Sequence, residues 1–389
     1  MFSKLPKQGI SLGLGDRVGL ATPGHIKVAK RHEFFPVFAQ QSIRELNFTG
    51  RTFHDVKKDV ENAVIKENYE GKSGFDGDHL KTDEEIKMAI DSGITMLTLD
   101  CSEYMGVVSK IKEKIYKGFY GKTFKVKDLD LEYSQEELEK ILSIYSGVIE
   151  RIIYIWNNFP KVKNKDVSFE VSIDETNIPT DEKTHFLLSK YLYDEGITID
   201  TLAPRFPGEF QKGIDYIGNI EEFKNSLMKH HKIASYFGYR LSIHSGSDKF
   251  SIYPYVSQIT QGNYHLKTSG TSYLQALKII AQKAPDFFKE IWKTCLDKRT
   301  EMDKYYHLSC DPFSVPKDLK PIEYLNNPDA RQTLHVSYMF VLNPKYDFRN
   351  RFFEILTKYE NEYHIEVAEH IKRHVKELKI PEKNTKLRE

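Results

Sequence analysis

The stretch from Thr82 to Asp100, TDEEIKMAIDSGITMLTLD, decides the fold class. Thr82 and Glu85 stand at the spacing of a capping box, Ile86, Ala89 and Ile90 recur at helical spacing, and Gly93 suits the left-handed residue that closes a helix. Thr95 to Asp100 then alternates as a strand. A helix and the strand that follows it are thus written in about twenty residues.

The same order returns further along. Asp181 and Glu182 favour a helix start, Phe186 to Tyr193 supply its apolar stripe, and Gly196 ends it before a β-rich run. From Asn219 the pattern passes through Phe223, Leu227, Ile233 and Gly238 to another strand. Eight candidate strands result: Arg17 to Ala21, Phe75 to Leu80, Thr95 to Asp100, Val167 to Asp174, Thr198 to Ala203, Arg240 to His244, Tyr264 to Thr268 and Tyr306 to Ser309. Eight strands alternating with helices predict an α/β (β/α)8 TIM barrel, a single catalytic domain over residues 1–389. His335 to Leu342 is a further apolar run that competes for a strand, and an open doubly wound sheet is the alternative. Residues 104–133, rich in Lys, Gly and Tyr, read as an inserted lid before a helix near Ser134 to Trp156. Residues 359–389 read as a C-terminal helix, with Ile365, Ile371, Val375 and Leu378 along it, and a polar tail from Pro381 that should fray.

Composition excludes several classes. A chain of 389 residues with 40% hydrophobic and 13% aromatic content can bury a large core and is not a disordered protein. Lys and Arg number 57 against 56 for Asp and Glu, with no basic arm, which argues against nucleic acid as a partner. Charges at Lys4, Lys7, Asp16 and Arg17 break any signal-peptide core, and no later run spans a bilayer, so the expected location is cytoplasmic, without a membrane partner. Cys101, Cys295 and Cys310 lack Cys-x-x-Cys spacing, against a disulfide framework or a thiolate zinc site. The oligomeric state stays open, a homo-oligomer included.

Side chains alternate across a strand, so Glu170, Ser172 and Asp174 share one face and Phe169, Val171 and Ile173 the other. In a barrel the polar face looks inward. Ser242 and His244, and His307 and Ser309, divide from their neighbours in the same way. The tetrapeptide His-Leu-Lys-Thr occurs twice, at His79 to Thr82 and at His265 to Thr268, each time at a candidate strand end. Imidazoles converging on a barrel mouth suit a divalent metal, with His79, His244 and His265 as ligands and a carboxylate such as Glu170 completing the site. One strand histidine is more often a hydrogen-bonded core residue, but four at strand ends argue together. The loop His244 to Lys249, with Ser247, Asp248 and Lys249, is suited to an anion or to an ordinary turn. Arg205 could clamp a carboxylate, with Lys81, Lys267 and Thr268 near the same mouth, or serve as a solvated cation. Two motifs are set aside. Gly13 to Gly19 has the wrong glycine spacing for a dinucleotide loop, and His370 and His374 lack the intervening glutamate of a zinc protease and read as surface or packing residues.

Five longer stretches carry a resemblance: FDGDHLKTDEE from Phe75, FEVSIDETNIPT from Phe169, APRFPGEF from Ala203, SIHSGSDKFSIYP from Ser242 and HLKTSGTSYL from His265. Together they resemble the bacterial tagaturonate epimerase family, over about Gly15 to His307. The resemblance implies a metal-dependent isomerase on a TIM barrel that interconverts D-tagaturonate and D-fructuronate in hexuronate catabolism; related enzymes take neutral ketohexoses. It carries Asp78, His79, Glu170, His244, Asp248, Lys249, His265 and Lys267 into the site, with a divalent cation that nitrogen and oxygen ligands leave open among Zn, Mn, Co, Ni and Fe. The substrate would be a small keto-sugar acid. Its carbon 4 is β to the carbon 2 ketone, so a retro-aldol and aldol sequence is expected, with Asp78 and Glu170 moving protons and Lys249 with Arg205 holding the carboxylate. Enolisation along the chain and transient oxidation by a nicotinamide are other routes. A sugar isomerase or aldolase, or a non-catalytic sugar-acid binder, are the rival readings.

Overall fold

The computed structural model describes residues 1–176 and 178–383. Eight parallel strands close a barrel in chain order: β1 Ile10–Leu14, β2 Phe35–Ser42, β3 Gly74–Leu80, β4 Met96–Asp100, β5 Ser168–Ile173, β6 Thr201–Pro204, β7 Arg240–Ile243 and β8 Tyr264–Thr268. Closure is made by β1 against β8, from Ile10 opposite Tyr264 to Leu14 opposite Thr268. Helices follow the strands and form the outer layer. Thr82 and Glu85 exchange the two hydrogen bonds of a capping box at 3.2 Å each, and Gly93 takes a positive φ of 84°, so the deciding stretch folds as its spacing requires.

Six of the eight expected strands lie in the barrel and two do not. Residues 17–21 form a loop instead, because the Asp16 carboxylate accepts from the backbone N–H groups of Val18, Gly19 and Ala21, at 3.0, 2.8 and 2.7 Å, which diverts them from a sheet ladder. Residues 306–309 are also irregular. There Ser309 N and Cys310 N donate to the side chains of Gln211 and Gln332, while Arg299 takes the carbonyls of Leu308 and Cys310. The glycine-rich Gly13 to Gly19 segment spans the end of β1 rather than preceding a strand. Two barrel strands lie outside the expected set, β1 and β2; β2 carries Pro36 as its second residue, which supplies no N–H, and its register shifts just beyond, between Val37 and Ala39. The competing run from His335 is helical, in Pro328–Val336 and Tyr338–Val341.

Apolar side chains of the strands, such as Phe75, Leu97, Phe169, Val171, Leu241 and Leu266, are buried in the hydrophobic core beneath the helices. The inward face is polar, with Asp76, Thr98, Glu170, Thr201, Arg240, His265 and Lys267 all buried. Residues 104–133 hold a helix, Lys112–Phe119, and a hairpin, Thr123–Val126 with Leu129–Glu132. Phe119, Phe124 and Tyr133 stack with Phe186 of the helix Glu182–Asp194, which fixes the insertion on the barrel's flank.

The last helix, Glu360–Glu377, packs against Thr22–Ala29 and Thr271–Lys283. Residues 381–383 are tied back, Glu33 N to Pro381 O and Lys383 N to Arg31 O at 2.8 Å each; the rest of the polar tail lies outside the described residues. Among the described residues no helix is long and apolar enough to cross a membrane. Gly24 makes the approach of the last helix possible, since a Cβ there would stand 2.8 Å from His364 O and from Val367. Gly24→Val should therefore cost about 1–3 kcal/mol by overpacking. Thermal unfolding checks this, and an unchanged Tm would show that the helices do not pack this closely.

Candidate active site

The mouth is built first by β3. Alternation turns Asp76 and Asp78 inward, and a Cβ at Gly77 would meet Leu80 at 3.0 Å and Ala89 at 3.1 Å, so the helix Asp83–Asp91 sits close behind. The register then shifts between Gly77 and Leu80, and His79 adopts a φ of 53°, a left-handed conformation uncommon for histidine. Asp78 and His79, adjacent in sequence, consequently line the same cavity. The two His-Leu-Lys-Thr copies are not equivalent: His79 ends its strand, whereas His265 is the second residue of β8 and lies below the cavity, its Nδ1 2.9 Å from Ser11 Oγ. Burial, partly opposed by Glu170, lowers the His265 pKa to about 3, so its ring is neutral.

Lys267 organises the floor. Its Nζ lies 2.8 Å from Asp76 Oδ2, 2.7 Å from Asp78 Oδ1 and 2.8 Å from Glu170 Oε1, and donates to Thr98 Oγ1. Burial pushes these carboxyls toward the neutral form, and Lys267 opposes it. The contest ends differently for each: Asp76 is raised, while Asp78 and Glu170 are lowered with help from nearby imidazoles.

On the other side of the mouth, His244 Nε2 meets Glu170 Oε1 at 2.7 Å and its Nδ1 lies 3.3 Å from Asp174 Oδ1. Burial alone would lower the His244 pKa, but Asp174 and Glu170 outweigh it and raise the value to about 10. The His79 and His244 rings meet edge to face, 4.9 Å apart. His79 Nδ1 is 3.5 Å from Asp100 Oδ2.

Above these groups opens a cavity of about 860 Å³. Of the residues expected from sequence, Asp78, His79, Lys81, Arg205, His244, Lys267 and His307 line it. His307 arrives on an irregular segment rather than a strand. Glu170 lies directly beneath, fully buried among His244, Lys267, Thr98 and Thr201. Ser247 and Thr268 hold backbone at the strand ends, and Lys249 donates to the carbonyls of Gln211, Ile214 and Ser247 at 2.8, 2.6 and 3.0 Å, so none of the three lines the cavity. Asp248 also turns away, to Arg331 Nη2 at 2.8 Å and His370 Nε2 at 2.9 Å. His370 and His374 are accordingly neither surface residues nor simple packing; they face a carboxylate. No residue of 104–133 lines the cavity.

Sequence reasoning missed Asp76 and Asp100, and it turned Asp174 inward without giving it a role. The period-two rule applied to Asp78 would also have selected Asp76, and Asp174 shares a face with Glu170. It also missed Arg44 and Lys212, which line the cavity; Lys212 Nζ donates to Ser245 Oγ at 3.0 Å. Nothing local marks those two, since the helix Ile43–Thr49 and the loop carrying Lys212 converge only in the fold.

The donor set suits a divalent cation. Ligand atoms of His79, Asp100 and Glu175 lie within 4.8 Å of one another, and His79 Nδ1 and His244 Nδ1 are buried without forming a hydrogen bond. Imidazole and carboxylate donors fit Zn, Mn, Co, Ni or Fe alike.

A closed parallel barrel whose mouth gathers ionised carboxylates, imidazoles and cations around one cavity defines an acid–base enzyme for a small polar substrate. The tagaturonate epimerase family model matches residues 3–378, and the chain belongs to that family. It is 38% identical over 385 residues, 94% of this chain and 80% of the relative, to a tagaturonate/fructuronate epimerase of Thermotoga maritima. The crystal structure of fructuronate-tagaturonate epimerase from Cohnella laeviribosi superposes with a TM-score of 0.93 at 38% identity, covering 97% of this chain and 83% of that one. A probable tagatose 6-phosphate kinase from Sinorhizobium meliloti, 12% identical with a TM-score of 0.51 over 95% of this chain and 99% of that one, shares the fold alone.

Lys267→Met should destabilise the protein by about 3–5 kcal/mol, since it leaves buried carboxylates without their cation. The wild type draws stability from the lowered Asp78 and Glu170 above their unfolded pKa values, and loses it as pH falls. In the variant the carboxyls are raised, so protonation stabilises the fold instead. The Tm gap between the two proteins, measured at pH 8 and pH 5, is expected to narrow at the lower pH. An equal gap at both would show that Lys267 does not neutralise these groups.

Proposed function

We propose that the protein interconverts tagaturonate and fructuronate, keto-hexuronates that differ at carbon 4, by carbon–carbon cleavage and re-addition in the barrel mouth. The observation that carries this reading is the shared cavity, in which Asp78, His79 and His244 face the same space as Arg44, Arg205 and Lys212. The first three residues offer acid–base and metal-binding groups. The three cations match a substrate carboxylate, which favours a uronate over a neutral ketohexose. Family membership supplies the identity of the sugar acids.

His79 and His244, with Asp100 and Glu175, would hold a divalent cation, which when bound polarises the carbon 2 carbonyl as a Lewis acid. Asp78, kept ionised by Lys267, takes the proton of the carbon 4 hydroxyl. The bond between carbons 3 and 4 then breaks, its electron pair passing toward the carbon 2 carbonyl and leaving an aldehyde at carbon 4. Rotation of the aldehyde exposes its other face, carbon 3 adds again, and the proton that Asp78 took is returned to the new alkoxide. Asp174 is held ionised beside His244 and takes no proton in this scheme, so Asp78 begins and ends each turnover ionised. Glu170, expected from sequence as the second acid–base group, is enclosed and instead holds His244 in place. Neither His265 nor Lys249 reaches the cavity, and neither has a part in the proposed step.

Asp78→Asn should lower kcat about 10²–10⁴-fold. His79→Ala and His244→Ala should abolish conversion and its restoration when metals are returned to chelator-treated protein. Reaction in deuterated water tests the route: the carbon 4 hydrogen stays on its carbon throughout, so solvent deuterium at carbon 4, seen by NMR, would overturn it. Arg205→Met and Lys212→Met should raise KM for the uronate more than for a neutral ketohexose. Equal losses on both substrates would remove these cations from carboxylate recognition.

A further inference from the structure

A second cluster of metal-ligating atoms lies outside the cavity, where the loop after β7 meets the last helix. His370 and His374 stand one turn apart on Glu360–Glu377 and so project from one helix face, the spacing by which a helix offers two imidazoles to one ion. Asp248 enters from the loop in a left-handed conformation, φ 59°, and is buried, 4% exposed. Its Oδ1 lies 2.9 Å from His370 Nε2 and 3.6 Å from His374 Nε2, and the three ligand atoms all lie within 4.8 Å of one another. Ligands at about 2.0–2.1 Å in a tetrahedral shell stand roughly 3.3 Å apart, between those two separations.

Hydrogen bonding separates this cluster from an ordinary buried ion pair. Asp248 Oδ1 and His370 Nε2 are close enough to bond but not aligned for it, and each is buried without a hydrogen bond. His374 Nδ1 donates to His370 O at 3.0 Å, which puts the ring proton there, and its Nε2 lone pair accepts from Asp248 N at 3.2 Å, a long hydrogen bond that a bound ion would replace. The other carboxylate oxygen is taken by Arg331 at 2.8 Å, an outer contact that fixes which oxygen faces the imidazoles.

We propose that Asp248, His370 and His374 form a structural site for a divalent cation of the Zn, Co or Ni class, separate from the cavity. The ion would pin the loop that carries His244 and Ser245 to the last helix. Its three protein ligands are two imidazoles and one carboxylate, with water in the fourth position.

The test is metal content. Chelator-treated protein is loaded with Zn²⁺, passed over a gel-filtration column and analysed by mass spectrometry for zinc. His370→Gln and Asp248→Asn are expected to hold one equivalent fewer than wild type, while the double variant His79→Ala/His244→Ala keeps that equivalent. If His370→Gln and Asp248→Asn elute as folded protein with the wild-type zinc content, the proposal is overturned. Should those variants not fold, the cavity double variant decides alone. Titrated with Co²⁺, it is expected to take up one equivalent with the intense visible bands of tetrahedral cobalt, and failure to bind Co²⁺ would refute the site.

Discussion

One ammonium group holds the inside of this barrel together. Lys267 projects from β8 into a space where Asp76, Asp78 and Glu170 arrive from β3 and β5, and at such distances Asp78 and Glu170 could not remain ionised without it. A barrel interior is ordinarily filled by layers of branched apolar side chains. Here the upper layer is a network of charges, and the apolar residues of the same strands are turned outward beneath the helices. The network is satisfied in detail, with Thr98 and Thr201 bonding the carboxylates that Lys267 leaves partly exposed to one another.

That floor sets the character of the mouth above it. Asp78 is held ionised at the cavity wall, and Glu170 is spent on orienting His244 rather than facing the substrate space. The bulge and left-handed residue at the end of β3 then bring His79 beside His244, which a regular strand would have turned to the opposite face. Cations from separate segments, Arg44 on the helix Ile43–Thr49 and Arg205 and Lys212 on loops, add positive charge to a cavity that gathers carboxylates and imidazoles. A keto-sugar acid has the matching asymmetry, a carbonyl and hydroxyls at one end and a carboxylate at the other.

The C-terminal segment has a larger part than its position suggests. Its helix closes the outer ring between the first helix and the one after β8, and it meets the loop after β7 through Asp248. The groups around His244 are therefore drawn from distant parts of the chain: Glu170 below it, and His370 and His374 behind its loop, on Asp248.

Much was legible in the linear sequence, because capping boxes, period-two alternation and helix-ending glycines are local and their hydrogen bonds span only a few residues. Those signals determined the barrel class, six of its strands, and the inward direction of Glu170, His244 and Lys267. Where side chains capture backbone N–H groups, as at Asp16 and Gln211, the same local signals misled. Tertiary structure alone decided which strand-end residues share the cavity. Two copies of one tetrapeptide end in different surroundings, His79 at the mouth and His265 beneath it, since depth in a barrel depends on how far along its strand a residue sits. Lys249 and Asp248 adjoin the site in sequence yet serve carbonyls and imidazoles elsewhere, because charge finds partners that only the fold brings near, which no local pattern encodes.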